Sequence, residues 1–283
     1  MMFRYAFLAF TAPCEMHFET PTQQKADALY RLIRQEVYRL EQTYSYFIDS
    51  SELYRINHRK THEFFVSQEM YGILKLAFFY YQKTAGTFDV AYAGTLKEVM
   101  QNTSLASYQQ ARKRLEPFAS MKHVILENHT LRFSNPHTKI DLGGFVKEYA
   151  VDMCIALLKQ HRIASALINF GGDLAVIGKC NEEKWRIGIQ NPENEKENIL
   201  IWEIEDHSLC TSGHSKRFTR IEDQRFSHVL APEINGTFEQ VSLMAPTTLD
   251  AGIWSTSLLI NPTLTLPKHI VPVCLCRLDE KVS

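Results

Sequence analysis

No stretch of this 283-residue chain approaches the ~20 consecutive apolar residues of a membrane-spanning helix, so no span is expected. The chain also lacks a surplus of either charge. Its 31 Lys and Arg against 32 Asp and Glu leave a net charge of -1, and no global basic field exists for nucleic acid or anionic lipid. Missing as well is any CxxC pair. Cys14, Cys154, Cys180, Cys210, Cys274 and Cys276 follow no metal or disulfide spacing and read as reduced, small apolar residues. No internal repeat or low-complexity linker interrupts the chain. Phe7-Leu8-Ala9-Phe10 is too short for a signal core, and Pro13 before Cys14 suits no cleavage site. The expectation is a soluble, cytoplasmic protein whose N-terminus is a strand bent in its middle.

What is present is ordinary for a globular protein: 45% hydrophobic and 22% charged residues, in a length that holds one large domain or two small ones. Ala26, Leu29, Ile33, Val37 and Leu40 stripe a helix over 25–44. Met70, Ile73, Leu74, Ala77, Phe78 and Tyr81 stripe another over 67–83, with Ser67 as its cap. A short polar helix is expected over 107–116 and a hairpin over 122–134. The second half reads as strands over 185–190, 199–204, 218–221, 226–230 and 237–244, then a helix over 251–260 and a strand over 270–277. This is an α+β pattern with mixed or antiparallel sheets and packed helices, and one domain over 1–283 is expected.

The densest chemical signal is KIDLGGFVKEYAVDMCIALLKQHRIASALINFGGDLAVIG, between Lys139 and Gly178. Two glycine-rich turns bracket one helix, whose stripe is Val146, Tyr149, Ala150, Met153, Leu157 and Leu158. A glycine pair at a helix start admits a ligand to the backbone, where free N–H groups favour anions. Lys147 adds a positive charge there. Each glycine pair alone is equally an ordinary turn. Other reactive groups sit in turn-like contexts. Asp89 in Thr87-Phe88-Asp89 either binds a ligand or caps the next turn. Thr211-Ser212-Gly213-His214 ends a strand, His228 lies within one, and Asp250, Ser255 and Thr256 share one helix. Hard oxygens in that helix suit Mg²⁺, although Asp250 as an N-cap is the simpler account.

In order and spacing these segments resemble the ApbE-type flavin transferases. TYSYFIDSSELYRIN, GTFDVAYAGTL, DLGGFVKEYAVD, NFGGD, WRIGIQNP, CTSGHSKRF and SHVLAP fall in the family's sequence of motifs, over roughly residues 36 to 260. The resemblance implies a T-fold-related domain that moves FMN from FAD onto a Ser or Thr of a target flavoprotein, using Mg²⁺ and releasing AMP. It implies that Thr87, Phe88 and Asp89 line the flavin pocket and that Asp141 and Lys147 reach FAD near its diphosphate. The Gly144 carbonyl and Thr256 would hold the metal, and His228 would be the general base.

Several positions depart from the family pattern. Gly252 stands where the pattern has a metal-binding aspartate, and Asp250, two residues earlier, replaces it only if the backbone is rearranged. Restoring aspartate at 252 is then expected to raise Mg²⁺-dependent activity. Glu148 stands in place of a glycine, Ser215 in place of a tyrosine and Ala231 in place of an aspartate. Two functions follow: an FAD:protein FMN transferase, or a catalytically impaired flavin-binding or partner-binding relative. Hydrolysis of FAD to FMN and AMP is a weaker third.

Overall fold

The computed structural model describes residues 1–194, 196–214, 218–227, 229–232, 234 and 236–278. Strands β1 (Met2–Ala9) and β2 (Ala12–Glu19) form a hairpin whose two-residue turn, Phe10-Thr11, has both φ angles positive, at 52° and 56°. Both positive angles match the twist of the paired strands. There follow α1 (Gln23–Tyr44), α2 (Glu52–Asn57), β3 (Glu63–Phe65), α3 (Gln68–Lys83), α4 (Val90–Leu96) and α5 (Leu105–Leu115). The central part comprises β4 (Val124–Glu127), β5 (Thr130–Phe133), α6 (Val146–Gln160), β6 (Ala166–Phe170) and β7 (Asp173–Ile177). The remainder is β8 (Trp185–Gln190), β9 (Asn198–Ile204), β10 (Ser208–Gly213), β11 (Phe218–Ile221), β12 (Gln224–Ser227), β13 (Phe238–Ala245), α7 (Thr248–Ile260) and β14 (Val271–Arg277).

Seven strands form the main sheet in the order β1-β2-β6-β7-β10-β13-β14, and every neighbouring pair is antiparallel. The fold class is α+β, with the antiparallel alternative realised. Alternation along the strands separates two faces. Met16, Phe18, Ile168, Phe170, Ala175 and Ile177 pack under α1 and α6. Leu167, Leu174, Val176 and Leu209 face the β8–β9 ribbon through Trp185, Ile187, Ile189 and Ile204. Helix α7 lies over β10 and β13, beside α6. Among the described residues no helix is long and apolar enough to cross a membrane.

All five stripe residues expected for α1 are buried. Helix α6 differs from expectation: Tyr149, Met153 and Leu157 are only half-buried, whereas Lys147, Glu148, Val151 and Cys154 are fully buried. The helix is covered by α1, by the sheet and by α7 together, so no single stripe describes it. The six cysteines are free thiols, with Cys180 and Cys274 half-buried and the rest buried.

The segment leading into α6 has no sheet partner, and side chains replace one. Asn57 donates to the Ile140 carbonyl at 2.7 Å and accepts from the Ile140 N–H at 2.8 Å, bonding that residue as a strand would. Thr95 Oγ1 takes the Lys139 N–H at 3.0 Å, and the Asp141 N–H donates to the Val90 carbonyl at 2.9 Å. Gly94 lets α4 lie directly on this segment: a Cβ there would stand 2.4 Å from the Ile140 carbonyl carbon and 2.5 Å from the Asp141 nitrogen. Backbone cannot yield as a flexible side chain can. Gly94→Ala is therefore expected to destabilise the protein by about 3 kcal/mol, the upper part of the overpacking range, measured as a fall in the urea midpoint with an unchanged slope.

Candidate functional site

The first turn of α6, the turn between β6 and β7, and one face of α7 meet at a buried polar junction. Lys147 is 8% exposed. Its ammonium contacts the Asp173 carboxylate and lies 3.5 Å from both Glu148 Oε1 and the Phe170 carbonyl. The lysine expected to offer a free positive charge is thus an internal partner of two carboxylates. With one cation and two anions, the cluster carries one negative charge in excess.

Glu148 is 6% exposed, and its Oε2 has no hydrogen-bond partner among the described residues. The side chain points at Gly252 of α7. A Cβ on Gly252 would stand 2.6 Å from Glu148 Cγ, 3.3 Å from Cδ and 3.4 Å from Oε1. One turn along the same face is Thr256. Its Oγ1 is 2.9 Å from Ser212 Oγ of β10, which also lies 2.8 Å from Ser255 Oγ. Ser255 donates to the Gly252 carbonyl at 3.0 Å. The segment 211–214, expected at a strand end, lies mostly within β10, and Ser212 reaches the helix from it. At Gly144, no atom lies within 4 Å of where a Cβ would stand, so the space beside that residue is open.

Asp250 does not join this junction. Tyr80 donates to its Oδ1 at 2.8 Å, and Thr247 Oγ1 donates to its Oδ2 at 3.1 Å. The Asp250 N–H donates to Thr247 Oγ1 at 3.1 Å, the N-cap bond of α7. Thr247 is the N-cap of α7, and Asp250 sits three residues inside, which corrects the simpler account given to it. Asp152 of α6 adds a second cap: its carboxylate accepts from the Thr248 and Leu249 N–H groups at 2.7 and 3.0 Å. Burial pushes its pKa above the ordinary value, opposed by those two bonds.

The remaining expected residues are locally engaged. Asp141 accepts from Lys97 at 2.5 Å and from the Gly143 N–H at 3.0 Å. Phe88 is buried, with its ring centroid 6.4 Å from that of Phe145, the residue before α6. Thr87 follows the turn after α3, its N–H bonded to the Thr84 carbonyl. Asp89 is the N-cap of α4. It accepts from the Ala91 and Tyr92 N–H groups at 2.8 and 2.9 Å, and from Met121 N–H at 3.1 Å. Burial raises its pKa while these bonds oppose the rise. Beside α4 is a cavity of 230 Å³ lined by Tyr92, Leu96, Tyr108, Arg112, Phe226 and Leu230, among others. His228 and Ser215 lie outside the described residues.

The donor set around Glu148 and Thr256 consists of hard oxygens. Among the described residues no three His, Cys, Asp or Glu side chains converge as a metal cluster. Sequence reasoning named Ser212 but missed its partners on α7, the pairing of Asp173 with Lys147, Lys97, and the direction of Glu148. Nothing in helical periodicity reveals a partner on another element.

Two measurements check this geometry. Asp89→Ala is expected to lower stability by about 2 kcal/mol, since it leaves cap donors unpaired, and Asp89→Asn to recover at least half; urea unfolding reads both. Restoring a side chain at 252 by itself is no longer expected to help, because Glu148 fills the space. Gly252→Ala should cost about 1–3 kcal/mol by overpacking, and far less in a Glu148→Gly background, as a double-mutant cycle of melting curves would record.

The ApbE family profile matches residues 10–269. A Klebsiella pneumoniae (strain 342) protein named FAD:protein FMN transferase is 28% identical over 258 residues, covering 84% of this chain and 72% of that one. Its namesake in Escherichia coli (strain K12) is 28% identical over 212 residues, 69% of this chain and 60% of that one. Among solved structures, the flavin transferase ApbE from Vibrio cholerae superposes with a TM-score of 0.81 at 21% identity, covering 92% of this chain and 87% of that chain. The ApbE protein of Thermotoga maritima gives the same score and coverage at 20% identity. The profile match spans nearly the whole chain, and these two structures share its fold: the chain belongs to the ApbE family.

Proposed function

We propose that this protein transfers the FMN portion of FAD to a serine or threonine hydroxyl of an acceptor flavoprotein, releasing AMP. The observation that carries this is the buried oxygen-rich junction of α6 and α7, in a chain related to proteins named for that transfer. The residues present fit Mg²⁺: an orphaned carboxylate oxygen on Glu148, the Thr256 hydroxyl, and open space beside Gly144, whose carbonyl is the proposed main-chain ligand. Asp250 is left out of the set because Tyr80 and Thr247 hold its oxygens. Bound Mg²⁺ supplies positive charge that stabilises the diphosphate as its bridge is cleaved.

The protein's part is positioning and proton transfer. The acceptor hydroxyl loses its proton to His228 and bonds to the FMN phosphorus. The bond from that phosphorus to the bridging oxygen breaks, and AMP departs with that oxygen. Thr87, Phe88 and Asp89 hold the loop before α4, whose far side lines the aromatic cavity. Asp141 and Lys147 set the backbone entering α6 toward the phosphates.

The second function, a flavin-binding or partner-binding relative without catalysis, is favoured by Gly252, which offers no side chain to a metal. One assay separates the two. Incubation with FAD, Mg²⁺ and a flavin-carrier domain is expected to leave fluorescent flavin on the carrier after denaturing electrophoresis. His228→Ala should reduce the rate at least 100-fold, within the range for loss of a general base, while FAD binding persists. Binding of FAD with no covalent product at any Mg²⁺ concentration would establish the non-catalytic relative instead.

A further inference from the structure

We propose that Glu148, reaching across from α6, supplies the carboxylate of the divalent-cation site that α7 lacks at Gly252. This rests on the transferase reading for the identity of the site, and adds which residue of this chain completes it. Three observations converge. The glutamate is more than nine-tenths buried and leaves Oε2 without a partner, although a buried carboxylate oxygen is costly unless paired. Its Cγ and Cδ occupy the space that a side chain on Gly252 would enter. The glycine and the acid therefore fit each other, and a side chain at 252 would not fit beside Glu148. The surrounding charge also asks for a cation: Lys147 is shared between Asp173 and Glu148, leaving one negative charge over.

Other titratable groups nearby do not meet that need. Asp152 already accepts two N–H groups at the start of α7. Asp250 turns toward Tyr80 and Thr247. Cys210, on the strand beneath, bonds the Thr248 carbonyl through its thiol at 3.4 Å, and burial raises its pKa further, so it stays neutral. The neutral donors that a hard cation would add to one carboxylate are the Thr256 hydroxyl, one turn from Gly252 on its own helix, and the carbonyl of Gly144, in the turn that leads into α6 with open space beside it.

The test uses Mn²⁺ as an EPR-visible probe in place of Mg²⁺, titrated into the full-length protein with FAD, and FAD binding measured separately by flavin fluorescence in EDTA. Wild type should bind Mn²⁺, and Glu148→Gln should weaken it at least tenfold with little change in FAD binding without metal. Glu148→Gly combined with Gly252→Asp should restore Mn²⁺ affinity to within threefold of wild type and keep the wild-type melting temperature within a few degrees. That return, which a purely packing role for Glu148 would not produce, supports the relocated carboxylate. If FAD binds but Glu148→Gln leaves Mn²⁺ affinity unchanged, or the double variant folds without regaining it, the assignment of Glu148 is wrong while the transferase reading survives. If wild type binds no FAD, it is the transferase reading that fails.

Discussion

Everything at the α6–α7 junction depends on how the chain enters α6. Residues 138–142 belong to no helix or strand, yet a bare backbone cannot be buried there without partners. Asn57 provides a two-sided clamp on Ile140, Thr95 bonds the backbone on either side of Lys139, and Gly94 removes the one side chain that would hold α4 away. The clamp is made of side chains from two elements well separated in sequence. It places Asp141 and the glycine pair, and so sets where α6 begins. Lys147 and Glu148 inherit their positions from it, since on a helix a shift of one residue rotates a side chain by about 100°.

From that start, the electrostatics follow. A lysine in the first turn of a helix ordinarily works against the positive end of the helix dipole. Lys147 is held there by Asp173, which the β6–β7 turn carries to the same point. That pairing explains why the NFGGD turn and the DLGG turn stand at opposite ends of one helix–strand unit. The chain leaves α6, passes through β6, and brings the aspartate back beside the lysine. The Lys147 ammonium at this junction is thus oriented by a carboxylate and is not a mobile charge.

How much of this was legible beforehand depends on whether a feature was local. Helix α1 covers one side of the sheet and faces solvent on the other, so its stripe of Ala26, Leu29, Ile33, Val37 and Leu40 was readable residue by residue. Helix α4 was not expected. Its seven residues, VAYAGTL, are buried almost all round and carry no polar face to mark a period. Strand β10 was only partly seen, because its hydroxyl-rich end, Thr211 and Ser212, bonds Ser242 across the sheet and Ser255 and Thr256 above it. For Asp89 the two local roles could not be separated by sequence, and the structure shows its carboxylate engaged as a cap. The junction itself was legible only as a set of motifs in order. That Glu148 and Gly252 face each other is a consequence of the packing of α6 on α7, and no propensity or spacing within either helix contains it.

A pair of departures from a pattern therefore has a different meaning in three dimensions from the one it has along the chain. Taken singly against the pattern, Glu148 adds a carboxylate and Gly252 lacks one. Placed face to face, the methylenes of Glu148 stand in the space left by Gly252, so the two changes compensate in packing. The cost falls elsewhere. A glutamate fixes its carboxylate through more rotatable bonds than an aspartate does, so ordering it loses more side-chain entropy. Burial on nearly every side and the Lys147 ammonium at 3.5 Å limit that freedom. The lysine's engagement in the interior thus has a structural purpose independent of any phosphate: it lies against Glu148, a buried acid whose Oε2 has no partner among the described residues.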